Sequence, residues 1–479
     1  MTVPQLIENG VKVPRKVKSV AVIGAGPAGA ISLDALLKEN SFDKVKVFER
    51  NSKIGGVWSI EKDPVKIDIA PGTTIHDLDP VLGDIPNFDD DIGKIVKTPR
   101  SNQYRFVESA GYAGLRTNVP EQLMCFSDEK DWGVDIKQRI DQHYVKVDAV
   151  RDYVERYFNR HPRDHIVFKT SLENVSKDYS KPDSKFVLTL RRETDEKDSD
   201  GNLIDEWFQE EFDALVIATG HYHVPVIPKV KGLDLIHGKY PEKIVHSKYF
   251  KPNVDTYDDE VVIVVGGRIS GMDIVTALSK TSKTVYHSKK TIPEVKQKNQ
   301  GFENIIEKPI IKEIKLDDEG KILVYFGDGS IVENPDRFIY ATGYHLSFPF
   351  MNNSYPNFTN GTILPDFFEH TIYSKDPLIS IVGIPIQAIT FRVFEFQAIW
   401  VARFLAGKIQ LPSLEEQNRW ILVRYQIFKN TPAYHSFQDE KFEWPNYITK
   451  IAGGVEPLNG AGKKFPIYTQ NDKDNIIFS

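Results

Sequence analysis

The sequence predicts a mixed α/β protein built on two Rossmann-like dinucleotide-binding domains, the second inserted into the first. Two observations carry this: a glycine-rich strand-turn-helix unit occurs twice, and a buried-type strand ending in Ala-Thr-Gly also occurs twice. The first unit is the strand Ser19-Val20-Ala21-Val22-Ile23, the turn Gly24-Ala25-Gly26-Pro27-Ala28-Gly29, a helical run over residues 30–38 and a second strand over residues 44–48, ending at Glu49 and Arg50. The second unit has a strand over residues 260–265, the turn Gly266-Gly267-Arg268-Ile269-Ser270-Gly271, a helix through Leu278 and a strand over residues 283–287. Residues 211–220 and 337–343 each run from apolar residues into a glycine turn, and each lies where a chain would cross between two domains.

The simplest topology is a discontinuous domain of residues 1–223 and 334–479 with residues 224–333 inserted as one block. In that block Ile322-Leu323-Val324-Tyr325-Phe326, the turn Gly327-Asp328-Gly329 and Ser330-Ile331-Val332 read as a hairpin. Two polar stretches, residues 61–105 and 174–205, read as solvated surface excursions, since charge runs usually face water. The most apolar long stretch, residues 378–405, is interrupted by Arg392, Glu395 and Arg403. A spanning helix needs about 20 mostly apolar residues, so this stretch reads as core and no transmembrane segment is expected.

Composition narrows the function. With 41% hydrophobic and 27% charged residues, the 479-residue chain reads as globular and soluble. Its 61 basic and 67 acidic residues are scattered, which leaves no basic stripe for nucleic acid. Cys125 is the one cysteine, so a disulfide, a cysteine-rich zinc site and a redox CxxC pair are excluded and redox chemistry must belong to a cofactor. The first 15 residues lack an apolar core of the kind a secretory signal needs. The four N-x-S/T sequons, at Asn174, Asn352, Asn357 and Asn360, therefore read as chance.

Gly24, Gly26 and Gly29 fit G-x-G-x-x-G after a strand and before a helix. The first makes the tight turn, the second lets backbone approach a pyrophosphate, and the third lets helix and strand pack. Pro27 and Ala28 complete the loop. Glu49 follows Gly29 by about 20 residues, where a carboxylate accepts hydrogen bonds from an adenosine ribose. A carboxylate repels a 2′-phosphate, so this site suits FAD or NAD. The second site has Ser288, Lys289 and Lys290 in place of the acid, and cations beside a hydroxyl are what a 2′-phosphate wants; plain surface lysines would look the same.

At this point the chain resembles a known family. The glycine loop, Gly55-Gly56-Val57-Trp58, Leu115-Arg116-Thr117-Asn118-Val119-Pro120-Glu121-Gln122-Leu123-Met124, Ala218-Thr219-Gly220-His221-Tyr222 and Ala341-Thr342-Gly343-Tyr344 together look like flavin-containing monooxygenases, closest in spacing to the soluble fungal branch. The resemblance implies FAD in the first fold, NADPH in the second, and a C4a-hydroperoxyflavin that passes one oxygen of O2 to a small soft nucleophile: a thiol, thioether or amine. It implies that Val57 and Trp58 lie against FAD, and that Thr117 and Asn118 sit at the isoalloxazine and nicotinamide. An amide there donates and accepts without titrating, which makes Asn118 the candidate catalytic residue, although Thr-Asn-Val-Pro is also a plain turn. It implies a helix near residue 391 whose N-terminus faces the flavin, though its apolar residues also read as core.

Two departures from the family pattern bear on the second site. The linker marker F-x-G-x-x-x-H-x-x-x-(Y/F) reads here with Tyr240, Glu242, His246 and Phe250, so Glu242 replaces a glycine. His246 is expected to organise the domain junction rather than act as a base. In the second loop Arg268 replaces the middle glycine, and it either obstructs the pyrophosphate or clamps a phosphate. Gly266, Arg268, Ser270, Gly271, Lys289 and Lys290 are the NADPH candidates. A Baeyer-Villiger monooxygenase, or an uncoupled NADPH oxidase or FAD-bound interaction protein, are the alternatives. The expected location is the cytoplasm, with the cytosolic face of the endoplasmic reticulum as a further option. The sequence is silent on oligomeric state.

Overall fold

The computed structural model describes residues 10–60, 65–89, 91–111, 115–135, 138, 140, 144–251, 256–290 and 302–470. The first glycine unit folds as β1 (Ser19–Ile23), α1 (Pro27–Lys38) and β2 (Lys44–Phe48). All five residues of β1 are buried, as expected of a strand covered on both faces. It pairs in parallel with β2, Ile23 opposite Phe48, and with β3 (Ala214–Ile217), Ile23 opposite Ile217. A seven-stranded sheet results, with β3 also paired to a strand from late in the chain, Ile379–Ile381, at Ile217 and Ile381. Gly24, Glu49, Ala218 and Val382 therefore all leave the sheet at its carboxyl edge, where open α/β sheets bind ligands.

The second unit repeats the scheme in a five-stranded parallel sheet. It contains β4 (Val261–Val265), β5 (Thr284–Ser288) and β6 (Arg337–Tyr340), flanked by Ile244–His246 and Ile305–Lys308. Helix α2 (Ile269–Leu278) joins β4 to β5. Val265 is opposite both Ser288 and Tyr340, so Gly266, Lys289 and Ala341 share the carboxyl edge of this sheet. The expected hairpin forms, with Tyr325 opposite Ile331, in a separate three-stranded antiparallel sheet.

Two expectations change. The sequence places the return to the first domain at residue 334, yet β6 pairs with β4 and with Ile244–His246 inside the second sheet. Each Ala-Thr-Gly strand belongs to its own glycine unit, and a buried apolar strand does not say which sheet will claim it. The crossing lies instead at Val224–Pro225 and Tyr344–His345, which pair antiparallel as a two-stranded ribbon. Residues 174–205 are not a solvated loop either. They contribute to the long antiparallel strands Thr170–Ser176, Phe186–Lys197 and Leu203–Phe212, joined by Val96–Pro99. The charge that suggested solvent is neutralised inside: buried Arg191 donates to Glu173 at 2.9 Å and to Asp205 at 2.8 Å.

Residues 378–405 are core as expected, and helix α3 (Thr390–Leu405) buries Arg392, Glu395 and Arg403 along with its apolar face. Among the described residues no helix is long and apolar enough to cross a membrane.

Candidate functional site

The first loop is shaped by contacts that exclude side chains. Gly24 has φ of +107°, and a Cβ there would meet the Ala218 carbonyl at 2.6 Å. At Gly29 a Cβ would meet the Gly24 carbonyl at 1.9 Å, the close helix-strand approach the motif requires. The Gly55-Gly56 turn closes on the loop from outside: Gly55 N–H donates to the Ala25 carbonyl at 3.0 Å, and a Cβ on Gly56, at φ +57°, would meet the Gly26 Cα at 3.0 Å. Pro27 opens α1, and Ala28 behind it packs against Gly383, just past Ile379–Ile381. The result is a backbone-lined cradle at a helix N-terminus, which suits a pyrophosphate.

Glu49 is buried at the end of β2. Its carboxylate accepts from the N–H of Ala25 at 2.7 Å and of Asn51 at 2.8 Å, so it braces the glycine loop from below. Burial pushes the Glu49 carboxyl up, opposed by those two amides and by Arg50. Arg50 turns toward the domain linker, where its Nη2 donates to the Phe106 carbonyl at 3.2 Å and to His223 Nδ1 at 3.1 Å. His223 Nε2–H in turn donates to the Thr219 carbonyl at 2.7 Å, which sets a neutral tautomer. Sequence reasoning gave His223 no role; its place directly after the Ala-Thr-Gly-His-Tyr motif was the available signal.

Val57 and Trp58 form a short 3₁₀ turn, and Trp58 is half-buried against the first core. Thr117 is buried and locks its segment in place, its N–H donating to the Val145 carbonyl at 3.0 Å and its Oγ1 accepting from Val145 N–H at 3.1 Å. Asn118 beside it is exposed, and its amide has no hydrogen bond to any described residue. The next residue, Val119, packs in a cluster with Ile389, the N-cap of α3, while Phe126 stacks on Phe391 at 5.2 Å. Thus the 115–124 motif and the start of α3 are brought together.

The second loop keeps its two obligatory glycines. Gly266 has φ of +132° and its Cβ would strike the Ala341 carbonyl at 2.2 Å, while a Cβ on Gly271 would strike the Gly266 carbonyl at 2.0 Å. Arg268 is the N-cap of α2 at φ −93° and ψ −177°, an extended conformation open to any residue. The same position in the first loop, Gly26, has φ −84° and ψ −170°, so the arginine distorts nothing. Its exposed side chain lies near Tyr222, whose phenol is pushed up by burial and drawn back by the Arg268 charge. Ser270 and Lys290 are exposed. Lys289 is engaged, donating to Glu307 at 2.5 Å, so of the two lysines Lys290 alone is uncommitted among the described residues.

His246 occupies the junction. Its Nε2–H donates to the Gly343 carbonyl at 2.9 Å and its Nδ1 accepts from Lys248 N–H at 3.1 Å. Burial pulls its pKa down to about 3, so it is neutral and structural at ordinary pH. Lys248 is itself buried, bonded to the carbonyls of Glu108 and His223, and burial lowers it to about 8.

These features invite comparison with known proteins. A family model described as flavin-binding monooxygenase-like matches residues 302–457, and one described as pyridine nucleotide-disulphide oxidoreductase matches residues 209–374. The Arabidopsis thaliana flavin-containing monooxygenase FMO GS-OX-like 9 is 32% identical over 410 residues, covering 83% of this chain and 78% of that protein. The chain belongs to the flavin-containing monooxygenases. Like other flavin-containing monooxygenases it is an oxidoreductase, and its cofactors are FAD and NADPH. The flavin-containing monooxygenase ustF2 of Aspergillus flavus is 25% identical, with 92% of each chain covered. Among solved structures, S-allyl-L-cysteine S-oxygenase from Allium sativum superimposes with a TM-score of 0.68 at 25% identity, covering 92% of this chain and 90% of that one. Cyclohexanone monooxygenase, at 13% identity and a TM-score of 0.52, shares the fold.

Proposed function

We propose that this flavin-containing monooxygenase oxygenates a soft sulfur or nitrogen nucleophile. In the overall reaction one atom of O2 joins a lone pair on the substrate, the other leaves as water, and NADPH with one proton supplies the two electrons. The bound flavin supplies the O2-activating chemistry. The observation that carries the reading is the pairing of two glycine cradles across one crossing ribbon, with an uncommitted amide, Asn118, on a segment packed against the start of α3. Gly24, Gly26, Pro27, Ala28, Gly29, Glu49, Val57 and Trp58 would hold FAD, with Arg50 behind them. Gly266, Arg268, Ser270, Gly271, Lys289 and Lys290 would hold NADPH.

A sulfur or nitrogen lone pair attacks an electrophilic oxygen directly, so the protein needs to hold reductant and flavin, exclude water and admit substrate, without a side-chain nucleophile. Likeness to an S-oxygenase over nine-tenths of the chain supports sulfur as the preferred acceptor. The experiment compares NADPH consumption, H2O2 release and product formation with a thioether, an amine and a cyclic ketone. Sulfoxide or N-oxide formed in proportion to NADPH is expected. Lactone as the main product would establish a Baeyer-Villiger enzyme, and H2O2 equal to NADPH with every substrate would establish an oxidase.

A further inference from the structure

We propose that His221 holds the flavin cofactor, its neutral imidazole donating a hydrogen bond to the pyrophosphate-ribityl stretch of FAD. His221 directly follows Gly220, which takes φ +69° to end the Ala218-Thr219-Gly220 turn. That turn is one wall of the first cradle, since a Cβ on Gly24 would meet the Ala218 carbonyl and lie 3.2 Å from the Thr219 Cα. The opposite wall is Gly383, whose own Cβ would lie 3.2 Å from Ala28 in the first turn of α1. The His221 ring sits beside the Gly383 backbone, so it joins the two walls next to the helix N-terminus that a pyrophosphate would occupy.

What singles out His221 is its lack of partners. Both ring nitrogens are buried and neither makes a hydrogen bond of good geometry to a described residue, the Gly383 backbone being close enough only to favour the protonated ring. The neighbouring histidines are satisfied: His223 through Arg50 and Thr219, His246 through Gly343 and Lys248, and His435 through His370 and the Leu364 N–H. An imidazole always carries at least one N–H, and a buried donor without an acceptor is a net loss to folding unless something else receives it. Burial lowers the ring to about 4, with Tyr222, His223 and His435 as titratable neighbours, so it is uncharged under working conditions and offers one donor and one acceptor. Ribityl hydroxyls and pyrophosphate oxygens match that pair.

The inference rests on FAD as cofactor and is independent of which substrate is oxygenated. Two variants test it: His221→Phe keeps ring volume and removes both nitrogens, and His221→Gln restores a donor and an acceptor. Flavin is stripped from parent and variants and FAD is titrated back, with flavin fluorescence and the visible spectrum as readouts and the melting temperature of each apoprotein as control. The expected result is an FAD Kd raised about five- to tenfold in the Phe variant and within about twofold of the parent in the Gln variant, with the apoprotein melting temperature of the Phe variant unchanged or higher. A Phe variant that binds FAD like the parent with the same spectrum would overturn the proposal. So would a Phe apoprotein that melts well below the parent, because the ring would then be a structural filler. A parent that takes up no FAD would sink the cofactor assignment as well, which separates the two failures.

Discussion

At the residue scale, the turn at Glu369 and His370 stores strain that side chains repay. Both residues have positive φ, +48° and +55°, joining the short strands Phe367–Phe368 and Ile372–Tyr373 in a turn that normally takes Asn-Gly. Glu369 accepts from Trp444 Nε1–H at 2.8 Å, and His370 pairs with His435 at 2.9 Å, so the surroundings over-determine the strained backbone. Burial pushes the Glu369 carboxyl up to about 8 from 4.5, only partly offset by Trp444 and Arg424. The folded chain therefore holds a proton that the unfolded chain releases; stability is full below about pH 4.5 and is lost as pH climbs toward 8. Glu369→Gln is expected to match the parent melting temperature near the acid end of that window and to exceed it by several degrees near its alkaline end. Equal differences at both ends would refute the linkage. Asn118→Ala is expected to retain FAD and NADPH oxidation while product formation falls by about 10²-fold, a typical loss for one transition-state donor. Product analysis beside flavin content checks this.

At the element scale, the helix N-terminus and strand end of the second unit decide how NADPH is held. Since Arg268 fits its backbone without strain, the question is only what its guanidinium meets. Arg268→Gly weakens NADP⁺ binding by about 1.5–3 kcal/mol if the arginine clamps a phosphate, and tightens it if the arginine obstructs. Its exposed position on an unstrained, extended backbone supports the clamp, and titration with NADP⁺ reads the sign. At the end of β5, Glu307 competes for Lys289. Glu307→Gln is thus expected to lower the KM for NADPH about threefold and leave the KM for NADH unchanged, because a freed cation strengthens a phosphate hydrogen bond and nothing else. The glycine units were legible in sequence because their geometry is local: positions that admit no Cβ must be glycine. The charged sheet was not, since Arg191, Glu173 and Asp205 come together only when distant strands pair.

At the scale of the whole molecule, the two cradles are registered through the crossing segments. The ribbon of Val224–Pro225 with Tyr344–His345 carries both crossings, and His246 ties the linker to Gly343 at its end. Tyr344 stands edge-on between His246, at 5.2 Å, and Tyr222, at 5.7 Å, so the histidine orients the aromatic group facing Arg268. His246→Ala is expected to leave FAD content intact and to raise the share of NADPH electrons released as H2O2 about two- to threefold, through looser seating of NADP⁺ over the flavin. An unchanged H2O2 to NADPH ratio would confine His246 to local packing.

The sequence by itself determined both glycine units, the acid at Glu49, the absence of that acid at Lys289, and the family, because each depends on residues within one strand-turn-helix unit whose conformation is set by steric limits on neighbouring atoms. It also placed residues 378–405 in the core, since their apolar content outweighs three charges. Only the tertiary structure decided which sheet claims Arg337–Tyr340, that Lys289 is paired while Asn118 is not, and that His221 stands buried with both nitrogens unpartnered. Those depend on which segments meet across long separations in the chain, and neither periodicity nor charge along the sequence encodes the partner.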